Sequence, residues 1–475
     1  MSVDWNTVHQ TVSDHWDTSV VPGLSEFLEV PNQSPHYDKE WATNGHMKKA
    51  MDVVVKWIEK QPIKGMKYEV FEDEGLTPFL VVEIEGTEPC ANTLLMYGHV
   101  DKQPPLLPWG EGLHPYKPVY RDGNLYGRGS ADDGYAAYLA ISAVAAVQKH
   151  GLQHGKVVVI IEASEESGSM DLPHYLRRCK DHIGNVDLLI CLDSGGANHE
   201  QLWLTTALRG LCGGVLTVET MREGMHSGMS GGVVPDSFRI ARMLLERIED
   251  TNTGNVKIPE AICDIPEHVI KAAEVMRSIP LKKMFALLPG VAAEADDNAE
   301  LALRSSWKAA LTVVGDNLPD TATAGNVNRA KTTLRLSLRI PPVADAEKVS
   351  AAMKSILEAD PPYNAKVNYT SHHDGTGSAT PALKPWLAQA LHSGCETAFG
   401  KTYASQGVGG TIPFVAMLQQ MFPEAQFLIT GVVGPRSNIH GPNECLNVPF
   451  AKGVTTCVAR VIAEHFHATP KLRKD

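Results

Sequence analysis

Leu94-Leu95-Met96-Tyr97-Gly98-His99-Val100-Asp101 decides the fold of this 475-residue chain, because an apolar run ends there abruptly in a histidine and an aspartate. The run predicts a buried strand with polar chemistry at its end. Residues two apart on a strand point the same way, so His99 and Asp101 share a face. The Asp101 carboxylate can hold one imidazole nitrogen while the other binds a metal. A histidine bonded to an aspartate at a strand end is more often structural, so the choice depends on the rest of the chain.

The composition is that of a globular protein with more than one domain. A chain of 475 residues exceeds one ordinary core, and 43% hydrophobic with 21% charged residues is typical of such proteins. No apolar run approaches the length that spans a bilayer, which argues against a membrane anchor. The net charge of −12 and the lack of a concentrated basic patch argue against nucleic acid as a partner.

The N-terminus and the cysteines together predict a cytoplasmic protein. The first residues, Met1–Trp5, have neither the basic nor the apolar region of a secretory signal. Eight cysteines are dispersed without a C-x-x-C pair, which favours reduced thiols over a disulfide framework and argues against zinc fingers.

Acidic or histidine residues recur at the ends of successive predicted strands. The run Val157–Ile161 ends at Glu165 and Glu166, and the run Val186–Leu192 ends at Asp193. Successive polar positions at 99, 132, 165/166 and 193 are separated by about 27 to 34 residues. Each interval is wide enough for one strand–helix unit of a parallel sheet. Sites in such sheets form beyond the carboxyl ends of the strands, so these side chains should converge. The pattern predicts an α/β catalytic domain with a mainly parallel sheet flanked by helices.

A second pattern interrupts the first after about residue 208. The strands and helices predicted there follow the βαββαβ order of a ferredoxin-like domain, with a helical insertion at about 257–306. We therefore predict a catalytic domain in two parts, 1–207 and 379–475, with an inserted lid or dimerisation domain at 208–378. The first domain resumes with a helix over 383–399 and a last strand over 426–432, and His440 follows that strand.

Two histidines and several carboxylates at strand ends, without a cysteine, suit a catalytic zinc or manganese site. Two divalent ions carry a charge of about +4, which Asp132, Glu166, Asp193 and one hydroxide would balance. Each acid alone could instead be a helix cap or a solvated loop residue. Helix caps and solvated loops explain less well why five such clusters, at 99, 132, 165/166, 193 and 440, all follow predicted strands.

A competing motif is Gly228-Met229-Ser230-Gly231-Gly232, which matches the G-x-S-x-G nucleophile turn of serine hydrolases. That turn requires a helix to begin at the serine. Here two glycines and two valines intervene before Pro235, which is typical of a helix start. The glycines fit better as a loop that presents His226.

Six motifs in order resemble one family over nearly the whole chain. They are G-H-x-D at 98–101, G-R-G-x-x-D-D at 127–133, E-E-S-G-S at 165–169, Asp193, H-S-G at 226–228 and His440. The set resembles the dinuclear metallopeptidases that include carnosine dipeptidases, glutamate carboxypeptidases and aminoacylases. Leu125–Asp133 and Gly409-Gly410-Thr411-Ile412-Pro413 are most similar to the branch of cytosolic nonspecific dipeptidases.

The resemblance implies a role for each site residue. His99, Asp132 and Asp193 would bind one metal, and Asp132, Glu166 and His440 the other. Asp101 would orient His99, and Glu165 would be the general base. The substrate contacts that it implies are His226, which would also stabilise the oxyanion, Arg339 on the substrate carboxylate, Asn326 and Thr411. The family also implies a homodimer in which the inserted domain brings His226 into the partner's active site.

The predicted function is hydrolysis of the amide bond of dipeptides with a free C-terminal carboxylate, through a metal-bridging hydroxide with Glu165 as base. The alternatives are an N-acyl-amino-acid deacylase, a glutamate carboxypeptidase, or a catalytically silent metal-binding homologue, against which the intact Glu165 argues.

Two positions depart from the family pattern. Gly134 stands where relatives commonly have lysine, and Asn326 stands where the dipeptidase branch often has threonine.

Overall fold

The structure of the protein is a computed structural model that describes residues 3–285, 287–410 and 413–471. Contacts divide the chain into two compact units. The first comprises Met1–Thr205, Thr380–Ser405 and Met417–Asp475, and the second comprises Thr206–Ala379 and Gln406–Ala416. The segment 406–416, which the sequence analysis places with the last part of the catalytic domain, belongs to the second unit by its contacts.

The strands of the described residues are, in chain order, β1 Met66–Phe71, β2 Phe79–Ile84, β3 Thr93–His99, β4 Val119–Arg121, β5 Asn124–Tyr126, β6 Lys156–Glu162, β7 Val186–Cys191, β8 Trp203–Leu208, β9 Gly210–Glu219, β10 Met225–His226, β11 Ala310–Asp316, β12 Val327–Asn328, β13 Lys331–Ile340, β14 Lys366–Gly375, β15 Ser378–Ala379, β16 Ala404–Val408, β17 Gln426–Ile429 and β18 Cys445–Asn447. The α-helices are α1 Trp5–His15, α2 Val21–Leu28, α3 His46–Glu59, α4 Tyr135–Lys149, α5 Leu172–Arg178, α6 Lys180–Ile183, α7 Ser227–Ser230, α8 Ser237–Ile248, α9 Glu267–Ala273, α10 Asn298–Ser306, α11 Ala346–Glu358, α12 Pro385–Phe399, α13 Pro413–Met421 and α14 Val448–Ala468.

A six-stranded sheet forms the centre of the first unit. Its order is β1-β2-β6-β3-β7-β17, and the pairs β6–β3, β3–β7 and β7–β17 are parallel. Every residue of β3 is buried, as an apolar strand between two layers requires. The helix α14 packs against α4, α12 and α1. The predicted α/β class with a mainly parallel sheet is confirmed.

The second unit contains a four-stranded antiparallel sheet with the order β11-β13-β9-β14. The helices α8 and α11 pack against it and against each other, which is the predicted ferredoxin-like arrangement. The strand β13 alternates as its sequence predicts: Leu334, Leu336, Leu338 and Ile340 are buried, and Arg335 on the other face is exposed.

Several boundaries differ from the sequence predictions, and three small sheets among the described residues, β10-β12, β15-β8-β16 and β18-β5-β4, were not predicted. The last parallel strand ends at Ile429 rather than at 432, because the chain then crosses closely over Ser194, whose carbonyl oxygen would lie 1.9 Å from a Cβ at Gly431. The antiparallel sheet β18-β5-β4 was not predicted, since each strand has only three residues. Among the described residues, no helix has the length and the apolar character needed to cross a bilayer.

Candidate metal centre

The five predicted metal ligands meet in the first unit as two groups that share Asp132. One group contains His99, Asp132 and Asp193, and the other contains Asp132, Glu166 and His440. Within each group, one ligand atom from every residue lies within 4.8 Å of the others. The ligands converge because His99 ends β3, while Glu166 and Asp193 follow the neighbouring parallel strands β6 and β7.

The two oxygens of Asp132 face different histidines. Oδ1 lies 3.3 Å from Nε2 of His99, and Oδ2 lies 2.8 Å from Nε2 of His440. His99 Nε2 is also 3.9 Å from Oδ2 of Asp193, and His440 Nε2 is 3.4 Å from Oε2 of Glu166. This is the geometry of a carboxylate that can bridge two ions.

Asp101 is fully buried behind the ligands, and it contacts more than the sequence predicts. Its Oδ1 lies 3.3 Å from Nδ1 of His99, so the imidazole can turn Nε2 toward the candidate metal position. The same carboxylate accepts the backbone N–H groups of Glu165 at 3.1 Å and Glu166 at 3.0 Å. One side chain therefore orients a ligand on β3 and fixes the turn that carries both glutamates.

The adjacent glutamates have different surroundings within the turn at Glu165–Ser167. Oε2 of Glu166 accepts a hydrogen bond from Nε2 of Gln103 at 2.5 Å. Its Oε1 is buried and has no hydrogen-bond partner among the described residues. A buried carboxylate oxygen without a partner is unfavourable, and a cation would satisfy it. Oε2 of Glu165 lies 4.0 Å from Nε2 of His99 and belongs to neither ligand group.

Burial raises the pKa of several carboxyls in this centre. The pKa of Glu166 rises to about 9 through burial and the charge of Asp132, and burial raises the pKa of Asp193 to about 6. Burial and the charge of Asp193 raise the pKa of Glu165 well above its usual value. Negative charges crowded together away from water favour bound protons, and divalent cations would remove that repulsion. The donor set thus fits metal ions.

Asp132 behaves differently from its neighbours. Burial acts to raise its pKa, but the hydrogen bonds with His440 and His99 outweigh burial and hold that pKa below its usual value. Asp132 therefore stays a carboxylate in surroundings that raise the pKa of the other acids, as a bridging ligand must.

A buried acid that was not predicted from the sequence shapes the same turn. Glu162, the last residue of β6, accepts hydrogen bonds from the hydroxyl groups of Tyr97 at 2.6 Å, Ser164 at 3.1 Å and Ser169 at 2.8 Å. The two serines flank the segment that carries Glu165. A long buried strand that ends in glutamate was the available signal, but nothing local shows that both serines fold back onto it.

The structure explains why glycine stands at position 134. A Cβ there would lie 2.3 Å from Cε1 of Phe27 and 2.5 Å from the carbonyl oxygen of Gly129. The Phe27 ring lies under the ammonium group of the buried Lys102, 4.1 Å from its centroid. A side chain at position 134 would therefore collide with its surroundings, and with glycine there the two ligand groups are assembled.

Three of the predicted substrate residues, His226, Asn326 and Arg339, lie in the second unit. His226 ends β10 and Asn326 directly precedes the paired strand β12, where the Asn326 carbonyl oxygen accepts the N–H of Ser227 at 2.8 Å. Nδ1 of His226 accepts the N–H of Gly228 at 3.1 Å. Arg339 lies on β13, and Thr411 lies outside the described residues.

The serine-hydrolase alternative does not fit the structure. Ser230 is the last residue of the four-residue helix α7, whereas a nucleophile turn places the serine at a helix start. It is 3% exposed, and its hydroxyl donates to the carbonyl oxygen of His226 at 3.1 Å.

Comparison with known proteins agrees with the geometry. The chain is 28% identical to the Cysteinylglycine-S-conjugate dipeptidase of Corynebacterium striatum over 428 residues, which are 89% of this chain and 90% of that protein. It is 26% identical to the Beta-Ala-His dipeptidase of Mus musculus over 387 residues, or 78% of this chain and 76% of that protein.

Solved structures show the same fold. The di-peptidase Dug1p from Saccharomyces cerevisiae superimposes with a TM-score of 0.72 at 21% identity, covering 98% of this chain and 99% of the other. Human carnosine dipeptidase 1 gives a TM-score of 0.72 at 20% identity with the same coverage. The model of peptidase family M20/M25/M40 matches residues 95–464, from within β3 to within α14. The resemblance seen in the sequence is confirmed, and the chain belongs to peptidase family M20/M25/M40.

Proposed function

We propose that this protein is a metal-dependent dipeptidase that cleaves the amide bond of dipeptides with a free C-terminal carboxylate. The observation that carries the proposal is the pair of ligand groups that share Asp132 beside a glutamate outside both groups. The names of the relatives support the substrate class, because both the Corynebacterium and the mouse protein are called dipeptidases.

The proposed cofactors are two divalent ions, zinc first and manganese as the alternative, since the donors are imidazole and carboxylate without thiolate. His99 and Asp193 would hold one ion, Glu166 and His440 the other, and Asp132 both. Two ions bound there would lower the pKa of the water between them from about 15.7 toward about 7 and polarise the scissile carbonyl.

Glu165 is the proposed general base. The N–H bond to Asp101 fixes its backbone, and its carboxylate lies 4.0 Å from the nearest ligand nitrogen, that of His99. From there it takes a proton from the attacking water and passes the proton to the leaving amine nitrogen. One carboxyl group then serves as base and acid in turn.

Three of the proposed substrate residues, Arg339, His226 and Asn326, belong to the second unit. Arg339 would clamp the substrate carboxylate with its guanidinium fork. His226 would donate to the oxyanion through Nε2, since Nδ1 accepts the N–H of Gly228 and the proton of the neutral ring then lies on Nε2. Asn326 and Thr411 are proposed as further contacts with the substrate.

We further propose a homodimer, formed through the inserted domain, that works in the cytoplasm. All eight cysteines are free thiols, and five of the six in the first unit are buried, which suits a reducing compartment. The dimer is proposed because His226 is exposed at the end of β10 and would serve the site of the partner chain.

A substrate comparison tests the function. The protein would be assayed, with added Zn²⁺ or Mn²⁺, against a dipeptide library, N-acyl amino acids and longer peptides that share C-terminal residues. We expect turnover of dipeptides to exceed that of the other two classes. Preferred cleavage of N-acyl amino acids would instead favour a deacylase, and activity that survives exhaustive chelation would contradict the metal mechanism.

A further inference from the structure

Behind Asp132 lies a buried ion pair that belongs to neither ligand group. Nη1 of Arg128 lies 2.6 Å from Oε2 of Glu444, and the two side chains are 1% and 0% exposed. The residues are 316 positions apart in the sequence, and the short pairing of β18 with β5 brings them together. A fully buried pair is costly to desolvate and by itself is weak evidence for stability. Its contacts indicate what else it does.

The Glu444 carboxylate organises the turn that delivers the bridging ligand. Its Oε2 accepts the N–H of Gly129 at 3.0 Å, and its Oε1 accepts the N–H groups of Ala131 at 3.0 Å and Asp132 at 3.2 Å. Three backbone donors of a four-residue segment thus point at one carboxylate. The backbone position of Asp132 depends directly on Glu444.

The Arg128 guanidinium joins that turn to two other loops. Its Nη2 donates to the carbonyl oxygen of Gly441 at 2.6 Å, and its Nε donates to that of Pro104 at 3.0 Å. Gly441 directly follows His440, and Pro104 follows Gln103, which hydrogen-bonds to Glu166. A planar fork with several fixed donors can satisfy all these acceptors, whereas an ammonium group cannot.

The loop that carries His440 needs such an anchor. His440 has φ +62°, and Arg436, Asn438 and Asn443 also lie in the left-handed region. Non-glycine residues adopt that region at a cost, and they keep it only where the surroundings impose it. The His440 side chain is 52% exposed, so packing alone does not hold it in place.

We propose that Arg128 and Glu444 are positioning residues that set the distance between His440 and Asp132 and thereby the affinity of the Asp132–Glu166–His440 group for its ion. The inference rests on the proposed two-metal function. The other group depends less on the pair, because His99 is held by β3 and Asp101, and Asp193 follows β7.

The test is a Zn²⁺ titration of the metal-free full chain by calorimetry, for the wild type and Glu444→Gln. We expect the wild type to bind two ions, and Glu444→Gln to lose about 10 to 100-fold in affinity for one of them and clearly less for the other, because only Asp132 is common to the two groups. With Co²⁺ as a spectroscopic probe, the ion that remains should have the same visible spectrum as in His440→Ala. Arg128→Lys keeps the charge but loses the fork, and it should weaken the same ion if Glu444→Gln does not fold.

Asp187→Asn is the matched control, because it removes a carboxylate from another largely buried pair of the same unit, Asp187–His465, at 2.6 Å. It should leave both affinities unchanged even if it lowers the melting temperature. Unchanged binding of both ions in Glu444→Gln and Arg128→Lys, or equal weakening of both, would overturn the inference alone. A wild type that binds fewer than two ions would overturn the proposed function and the inference with it.

Discussion

Glu165 and Glu166 are neighbours in the chain, yet only Glu166 belongs to a ligand group. Glu165→Gln should therefore keep both ions and lose about 10² to 10⁴-fold in kcat, which is the usual contribution of a positioned proton carrier. Asp132→Ala should lose metal as well as activity. Elemental analysis beside steady-state kinetics checks this, and a metal-free Glu165→Gln protein would mean that the roles of base and ligand are exchanged.

Arg339 is the residue on which the proposed carboxylate recognition depends. Arg339→Lys should raise KM or lower kcat/KM by about tenfold or more, because an ammonium group cannot form two parallel hydrogen bonds to a carboxylate. Dipeptides with an amidated C-terminus should be poor substrates of the wild type and nearly insensitive to the substitution. Arg335→Lys, four residues earlier on the same face of β13, is the control. If the amidated and free-acid substrates respond equally, Arg339 does not bind the carboxylate.

The raised pKa values of the site predict how pH and metal act together on stability. Without metal, the folded-state pKa values of Glu166, about 9, and Asp193, about 6, exceed those of an unfolded chain. Their contribution to stability is therefore complete at low pH and is lost as pH rises through those values. The lowered pKa of Asp132 acts in the opposite direction, since its contribution to stability is lost as pH falls. That loss occurs below about pH 4, outside the range of interest.

The melting temperature should therefore be measured with Zn²⁺ and with chelator between about pH 5 and pH 9. We expect the melting temperature with Zn²⁺ to exceed that with chelator by a margin that widens as pH rises, because the metal displaces protons that the metal-free site holds. Histidines elsewhere whose pKa is lowered by partial or full burial, such as His15 and His154, titrate with and without metal, so their contribution cancels in the difference. A difference that is constant or shrinks with rising pH would show that the free site is already ionised.

At the scale of secondary structure, strands and their ends were predictable and loop contacts were not. The apolar runs of β3, β6 and β7 identify the sheet, and the type of residue that follows each run indicates the candidate ligands, because both signals are local. Glu444 and Arg128 give no such signal, since their contacts form only after segments 316 residues apart have met. The three-residue strands β4, β5 and β18 are too short for periodicity to show.

The start of α4 offers a test of packing at the scale of one element. Gly134→Ala should destabilise the protein by about 1 to 3 kcal/mol, because the new methyl group meets the Phe27 ring and the Gly129 carbonyl oxygen. The backbone is not the cause, since φ of Gly134 is −53°, which alanine adopts readily. Gly375→Ala is the control, because a Cβ there meets nothing within 4 Å. Thermal unfolding compares the two, and equal effects would contradict the packing argument.

At the scale of the whole molecule, the candidate chemistry is divided between two compact units. The predicted metal ligands and Glu165 all belong to the first unit, whereas His226, Asn326 and Arg339 belong to the second. Neither unit carries the whole set of groups that the proposed reaction needs. The proposal that His226 serves the partner chain is therefore a statement about assembly as well as chemistry.

Complementation between two inactive chains tests that statement. His226→Ala and Glu165→Gln should each be nearly inactive alone. After subunit exchange a heterodimer has one site with both native residues and one site with neither, if each site takes His226 from its partner. At equal mixing about half of the dimers are heterodimers, and each restores one of its two sites. Activity should therefore recover to about a quarter of wild type.

The exchange itself would be verified by native mass spectrometry of the mixture. Two Glu165 variants, Glu165→Gln and Glu165→Ala, mixed in the same way provide the control that should stay inactive, because no combination restores the base. Complete exchange without recovered activity would mean that His226 acts within its own chain or has no part in the reaction.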